Sequence, residues 1–267
     1  MCLKRAIDLT IIMLKMSFNR AKMFKADSIM GIISSVTYLS ANILFWVVVM
    51  TAPTFALEGW SFQNIVMFIA FSELFFGLDG AAFTMSSRFW RVIYSGSLDA
   101  LHTRPMDSRL RFIIVNIDFV KIVTAFISFM ILILVSGVQI VSHLPLLVIG
   151  FIFVVLSNIV LSLMRLTLSY AAFWLGKMDA LSEVADCLTW FNKYPLVNVP
   201  GVASLLFRTI LPFYFFSTFP TEVSAGMLSH SDIVLGLLFM SLCIVFWVII
   251  HGMVWKRGLR KYESVNG

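Results

Sequence analysis

Charge is what this 267-residue sequence has least of: Asp, Glu, Lys and Arg make up 13% of it, against 60% hydrophobic residues. Soluble domains carry near a quarter of charged residues, and a mean hydropathy of +0.95 excludes an ordinary soluble fold. Cysteine is equally scarce. Cys2, Cys187 and Cys243 share neither pairing nor ligand spacing, so no disulfide framework or zinc site is indicated. The four histidines (His102, His143, His230 and His251) are scattered, and no HExxH or GxSxG motif is present. An intramembrane enzyme is therefore poorly supported, although Asp79 and Asp118 could mimic an aspartyl pair. An ion-coupled secondary transporter calls for an inverted repeat, and none is visible. Those two classes remain the alternatives. No G-x-x-x-x-G-K-[ST] loop exists, since the only Gly-Lys pair, Gly176-Lys177, is followed by Met178. Nothing in the chain itself can cradle ATP.

Three connectors lack Lys and Arg altogether: residues 51–61, 137–145 and 219–231. Of the 20 basic residues, six precede the first apolar run, five lie in 88–111, two in 176–195 and four follow the last run. Lys121, Arg165 and Arg208 alone sit inside apolar stretches. Basic connectors stay cytoplasmic, so the alternation predicts a multi-pass protein of a bacterial cytoplasmic (inner) membrane with both termini inside. The net charge of +6 follows this topology and is not gathered for nucleic acid. The first 28 residues, with six basic groups and two Asp, do not read as a signal peptide.

A span takes ~20 apolar residues, so six use roughly half the chain and leave no room for a second soluble domain. The expected fold is all-α: an N-terminal amphipathic interfacial helix within 1–28, a six-span domain over 29–255 and a cytoplasmic tail, 256–267. Spans are expected at about 29–50, 62–87, 112–136, 144–172 and 232–254. For the fifth crossing hydropathy favours 196–219, although Pro212 breaks it and Arg208 lies inside it. The rival sends the more polar 178–195 across and folds 197–219 into a re-entrant hairpin on the outer side. That choice takes Asp179, Glu183, Asp186 and Lys193 into the membrane, which is expensive.

The longest cytoplasmic connector, 88–111, contains Gly96-Ser97-Leu98-Asp99-Ala100-Leu101-His102-Thr103-Arg104-Pro105. Gly96 permits a sharp turn, Ser97 can cap a helix, and Asp99 in its first turn suits the dipole. Arg104-Pro105 ends the segment. One short helix is predicted, with Leu98 and Leu101 on one side.

The G-x-L-D-x-x-L-x-R-P pattern from Gly96 to Pro105 resembles a mark of one branch of the type-2 ABC transporter permeases. Lys193-Tyr194-Pro195-Leu196 and Ile210-Leu211-Pro212-Phe213 resemble that branch's later elements. Trp255-Lys256-Arg257-Gly258-Leu259-Arg260-Lys261-Tyr262-Glu263-Ser264 is similar to its W-x-x-G-L-R-x-Y-x-S tail. One departure is that Val265-Asn266 separate Ser264 from Gly267. The resemblance implies a permease subunit of an ATP-driven exporter, paired with a second copy or paralogue. No cofactor would be bound by this chain; ATP and Mg would sit on separate ABC ATPase subunits. Gly96, Leu98, Asp99, Leu101, Arg104 and Pro105 would form the coupling helix that meets the ATPase, and residues 3–25 the connecting helix beside it.

Intramembrane charges are functional candidates by default. They are Glu73 and Asp79 in span 2, Asp118 and Lys121 in span 3, Arg165 in span 4, and Arg208. Counting from the nearest basic end at 1.5 Å per residue puts Asp79, Lys121 and Arg165 about 13–18 Å deep. One polar layer is expected, lining a translocation path or pairing across helices, with Lys121–Asp79 a candidate pair. A structural ion-pair set that locks helix packing is the plainer alternative. Phe71, Phe75, Phe76 and Phe213-Tyr214-Phe215-Phe216 could line an apolar route, or face lipid.

Overall fold

The computed structural model describes residues 8, 11–12, 15–16, 18–20, 22–51, 59–102, 107–197, 199–209 and 211–262. Arg104, Pro105 and eleven of the 23 residues of the amphipathic segment 3–25 lie outside the described residues.

Long apolar runs form the long helices here, and the one proline inside them, Pro145, lies near the start of its helix. Helix α1, Lys25–Thr51, and α2, Phe62–Leu78, begin the bundle. Helix α2 starts at a Ser61 side chain that accepts the Asn64 N–H. It runs on through a π-helical turn, Asp79–Phe83, a 3-10 turn, Thr84–Arg88, and the short helix α3, Trp90–Tyr94. Then come α4, Leu98–His102; α5, Ser108–Val115; α6, Phe119–Val135; α7, Ile140–Ser169; and α8, Ala172–Leu175. Helix α9, Asp179–Leu188, leads into a 3-10 turn, Thr189–Lys193. After it the chain forms helix α10, Gly201–Arg208, a 3-10 turn, Phe213–Phe215, and α11, Thr218–Ser224. The last helix, α12, His230–Lys261, opens on a Ser229–Asp232 capping box. Among the described residues all regular structure is helical.

Four stretches are long and apolar enough to cross a membrane: Lys25–Thr51, Phe62–Tyr94, Ile140–Leu175 and His230–Lys261. The pair α5 and α6, bent by 68° at Asn116–Asp118, passes the same test together and counts as a fifth if the two are one broken span. No sixth continuous span occurs among the described residues. The favoured fifth crossing, 196–219, is overturned. Helix α10 stops at Arg208, Pro212 sits at the start of a 3-10 turn, and the chain then doubles back into the protein. The rival arrangement matches the contacts better. Residues 179–194 climb the bundle, since Asp186 meets Arg165, the Asn192 carbonyl faces Ser72, and Tyr194 touches Phe45 and Trp46.

Beyond Leu196 the chain makes a hairpin packed into the end of the bundle that lacks basic connectors. Residues 218–224 are all buried, so the expected connector 219–231 is half interior. Buried hydroxyls need partners, and this hairpin supplies them. Ser217 donates to Asn192 Oδ1 (2.6 Å), Thr218 accepts the Leu196 N–H (3.0 Å), and Ser157 on α7 donates to the Phe215 carbonyl (2.8 Å). Tyr214 donates to the Glu222 carboxylate. Phe71, Phe75, Phe213 and Phe216 are 0–2% exposed. These four, with Tyr214 and Phe215, are packed core, with Phe75 stacked on Phe216 at 4.5 Å, whereas Phe76 is half-buried and lines a cavity beside α1.

A second, separate core sits at the basic end. It joins Phe89, Trp90, Ile93, Leu98, Leu166, Tyr170, Phe173, Met178 and Trp255. Helix α12 does not stop at Trp255, where the apolar run gives way to charge, but continues to Lys261 and lays Gly258 against Phe173.

Candidate coupling helix and ion-pair site

The turn into α4 is made by Gly96 at φ +72°, a conformation that costs glycine little and other residues more. The Gly96 N–H bonds to the Ile93 carbonyl (3.2 Å) and the Asp99 N–H to the Gly96 carbonyl (3.3 Å). Leu98 then points inward and is 0% exposed, while Ser97 and Ala100 face solvent. Leu98 is thus the anchor of the short helix and not part of its outward face. Asp99 and Leu101 are half-buried.

The anchor rests on aromatic packing supplied mostly from elsewhere in the chain. Trp255 touches Phe89 (5.9 Å), Tyr170 (4.9 Å) and Phe173 (5.7 Å) between ring centroids. The Arg109 guanidinium lies 5.0 Å from the Trp255 ring centroid and donates to His251 Nε2 at 2.9 Å. Asp107 caps α5 and pairs with Arg109 at 2.6 Å. Partial burial opposes ionisation of Asp107, but its bonds from Arg109 prevail and hold the carboxyl below its usual range. Tyr262 ends this lattice. Its buried hydroxyl makes no well-formed hydrogen bond, yet lies near the Asp99 carboxylate. Burial first, and Asp99 second, push the phenol up. The tail therefore braces the short helix from below.

Directly above lies the ion-pair site. The π and 3-10 turns interrupt the regular hydrogen bonding of α2's continuation, and freed backbone groups must be satisfied locally. Ser169 donates to the carbonyls of Ser86 (2.8 Å) and Ser87 (3.0 Å), and Thr84 to that of Asp79 (3.1 Å). Ser86 and Ser162 exchange a hydroxyl bond at 2.6 Å. Within this collar Arg165, its side chain 3% exposed, pairs with Asp79 and lies 3.0 Å by Nε from Asp186 Oδ1. The second contact is an ion pair without good hydrogen-bond alignment, since both atoms lack a hydrogen-bonded partner. Ser87 donates to the other Asp186 oxygen at 3.2 Å. The cluster ties α2, α7 and α9 together. Asp186 was visible in the sequence only as an expense; the paired depths of Asp79 and Arg165 were the usable signal.

The remaining candidates lie elsewhere. Asp118 is the N-cap of α6, accepting the N–H groups of Val120 (3.0 Å) and Lys121 (3.3 Å). Lys121 lies in the first turn of α6, just past the 68° bend, which brings it level with Gly80, the residue after Asp79. Its ammonium reaches the Gly80 carbonyl (3.4 Å) and Asp118 (4.0 Å). The candidate Lys121–Asp79 pair is overturned, because Asp79 is committed to Arg165. Glu73 accepts from Asn42 at 3.2 Å. Arg208 lies over the Tyr214 ring at 4.2 Å, at the opposite end.

No group of three or more metal-ligating side chains occurs among the described residues. A family model described as ABC-2 family transporter protein matches residues 36–266. No curated protein and no solved structure matches significantly. The match takes in every span after the start of α1, the short helix α4 with its aromatic brace, and the Arg165 cluster. The chain belongs to the ABC-2 family of transporter proteins, as a multi-pass membrane component.

Proposed function

We propose that this chain is the membrane-spanning permease subunit of an ATP-driven exporter in a bacterial cytoplasmic membrane. Two copies, or this chain and a paralogue, form the translocation path, and separate ABC ATPase subunits carry the ATP and Mg. The basic end faces the cytoplasm with both termini. Residues 179–195, followed by the outer hairpin, complete six crossings. The observation that carries this reading is the short helix Leu98–His102, which is held out from the bundle end by a hydrophobic core of its own. A helix of five residues is too short to hold its shape alone, so such an anchored turn suits a docking element. The Arg165 cluster, which joins α2, α7 and α9, suits transmission of ATPase movement into the membrane.

The test is to capture the tagged chain from its native membranes and assay ATP hydrolysis in the captured complex. Wild-type protein brings down hydrolysis. Scrambling 97–104 removes it while leaving the melting temperature in detergent unchanged. A chain that transports on a proton gradient with no associated ATPase, or a scrambled loop that still captures one, defeats the reading.

A further inference from the structure

A cavity of about 410 Å³ opens between α1, the Asn116–Asp118 bend and the start of α6. It adjoins a second of about 270 Å³, and the two share Ser34, Ser35, Lys121 and Thr124. Helix α1 is packed so lightly that Trp46 is its only buried residue, which leaves the wedge open along its flank. The bend brings Lys121 to the first turn of α6, beside the Gly80 carbonyl and on the open flank of the wedge.

Two cations and two acids line the larger cavity: Arg20, Lys121, Asp27 and Asp118. The acids already have work. Asp118 caps α6 through two backbone N–H groups, and Asp27 sits in the first turn of α1, opposite the positive end of its dipole. The cations are poorly engaged. Lys121 has only contacts of 3.4 and 4.0 Å, with its side chain 54% exposed, and among the described residues no ion pair holds Arg20. The uncommitted charge of the wedge is therefore positive. Apolar side chains edge the same space, with Phe24, Met85 and Phe119 beside the polar groups. Farther along α6, Val123 and Ile127 are half exposed.

We propose that this wedge binds an anionic phospholipid from the basic-end leaflet, its phosphate between Lys121 and Arg20. Basic pockets between membrane helices on the cytoplasmic side favour anionic headgroups, and ammonium and guanidinium donors both form charge-assisted bonds to phosphate. The serine hydroxyls of α1 supply neutral donors. The site lies apart from the coupling helix, borders the Arg165 cluster at Gly80, and does not depend on the direction of transport.

The test uses the full chain, with whatever partners accompany it, in nanodiscs of phosphatidylcholine titrated with phosphatidylglycerol. Bound lipid is counted by native mass spectrometry. Wild type prefers phosphatidylglycerol by about tenfold or more. Lys121→Gln and Arg20→Gln each reduce that preference about tenfold, while Lys121→Arg keeps it. Ser34→Trp, which fills the cavity without changing charge, also abolishes retention, with the melting temperature confirming that the variant is folded. Lys256→Gln, a basic-end control, leaves it intact. Equal retention of the two lipids overturns the proposal. So does a Lys256→Gln loss equal to that of Lys121→Gln, or displacement of the lipid by millimolar inorganic phosphate.

Discussion

The two cores of this protein solve different problems. The larger one lies inside the bundle, where aromatic rings pack around α2, α7 and the hairpin that ends in α11. Its difficulty is polarity: Ser217, Thr218, Thr221, Glu222 and Ser224 are all buried there. Backbone and hydroxyl partners answer it, since buried polar groups need hydrogen-bond partners. The smaller core sits at the basic end and has the opposite difficulty, a helix of only five residues that must stand in one place. It answers with Leu98, Trp255 and Phe173, and with a tail that continues α12 beneath the turn. One core holds the helix bundle together, and the other holds a short surface helix still. Between them lies the one buried ion pair among the described residues, Arg165 with Asp79, which the half-buried Asp186 joins.

That junction should give the largest response. Arg165→Met leaves two acids facing each other inside the protein and should cost about 3–5 kcal/mol, the usual effect of removing one partner of a buried pair. Its melting temperature in detergent should fall sharply, and adding Asp79→Asn should recover part of the loss. Next is Leu98→Ala, which removes a fully buried anchor at a cost of about 2–5 kcal/mol. Because the core is local, this loss should appear as faster hydrogen exchange over 96–102 and weaker ATPase capture, with exchange in α2 and α7 unaltered. Equal change in both regions would merge the two cores into one unit.

The smallest effect concerns Asp107. Its carboxyl is held below the ordinary value of 3.8 by Arg109, against the opposing effect of partial burial. A lowered folded-state pKa contributes stability that is present above the unfolded value and lost as pH falls through the folded one. The basic-end core should therefore loosen only below about pH 3.8. Asp107→Asn should flatten that acid limb in an exchange measurement over 107–115.

The sequence and the structure agree best where a single physical cause dominates. Long apolar runs with flanking charge marked α1, α2, α7 and α12, and Gly96 marked the turn before α4. Two features escaped because competing causes were at work. Residues 196–219 are hydrophobic enough to span, but Pro212 removes a backbone donor, and the hydroxyls just beyond it are buried by partners distant in sequence. Asp118 looked like an intramembrane charge, yet an Asp just before an apolar run is also an N-cap signal, and that is its role. Leu98 illustrates a third limit. Helical spacing places it beside Leu101, but only the distant Trp255 and Phe173 determine that it faces inward.

Gly236 and Gly258, on the same helix α12, test the division most directly. A side chain at Gly236 would press on Phe219 and Phe153 in the bundle core, and one at Gly258 on Phe173 in the basic-end core. Overpacking of this kind typically costs about 1–3 kcal/mol, so the two substitutions are matched in severity. The measurement is ATP hydrolysis captured per tagged chain for Gly236→Leu and Gly258→Leu. Gly258→Leu should lose the captured hydrolysis while keeping the melting temperature of the bundle, and Gly236→Leu should lower the melting temperature while retaining the hydrolysis. Equal losses in both variants, or the reverse pattern, would contradict a basic-end core dedicated to coupling.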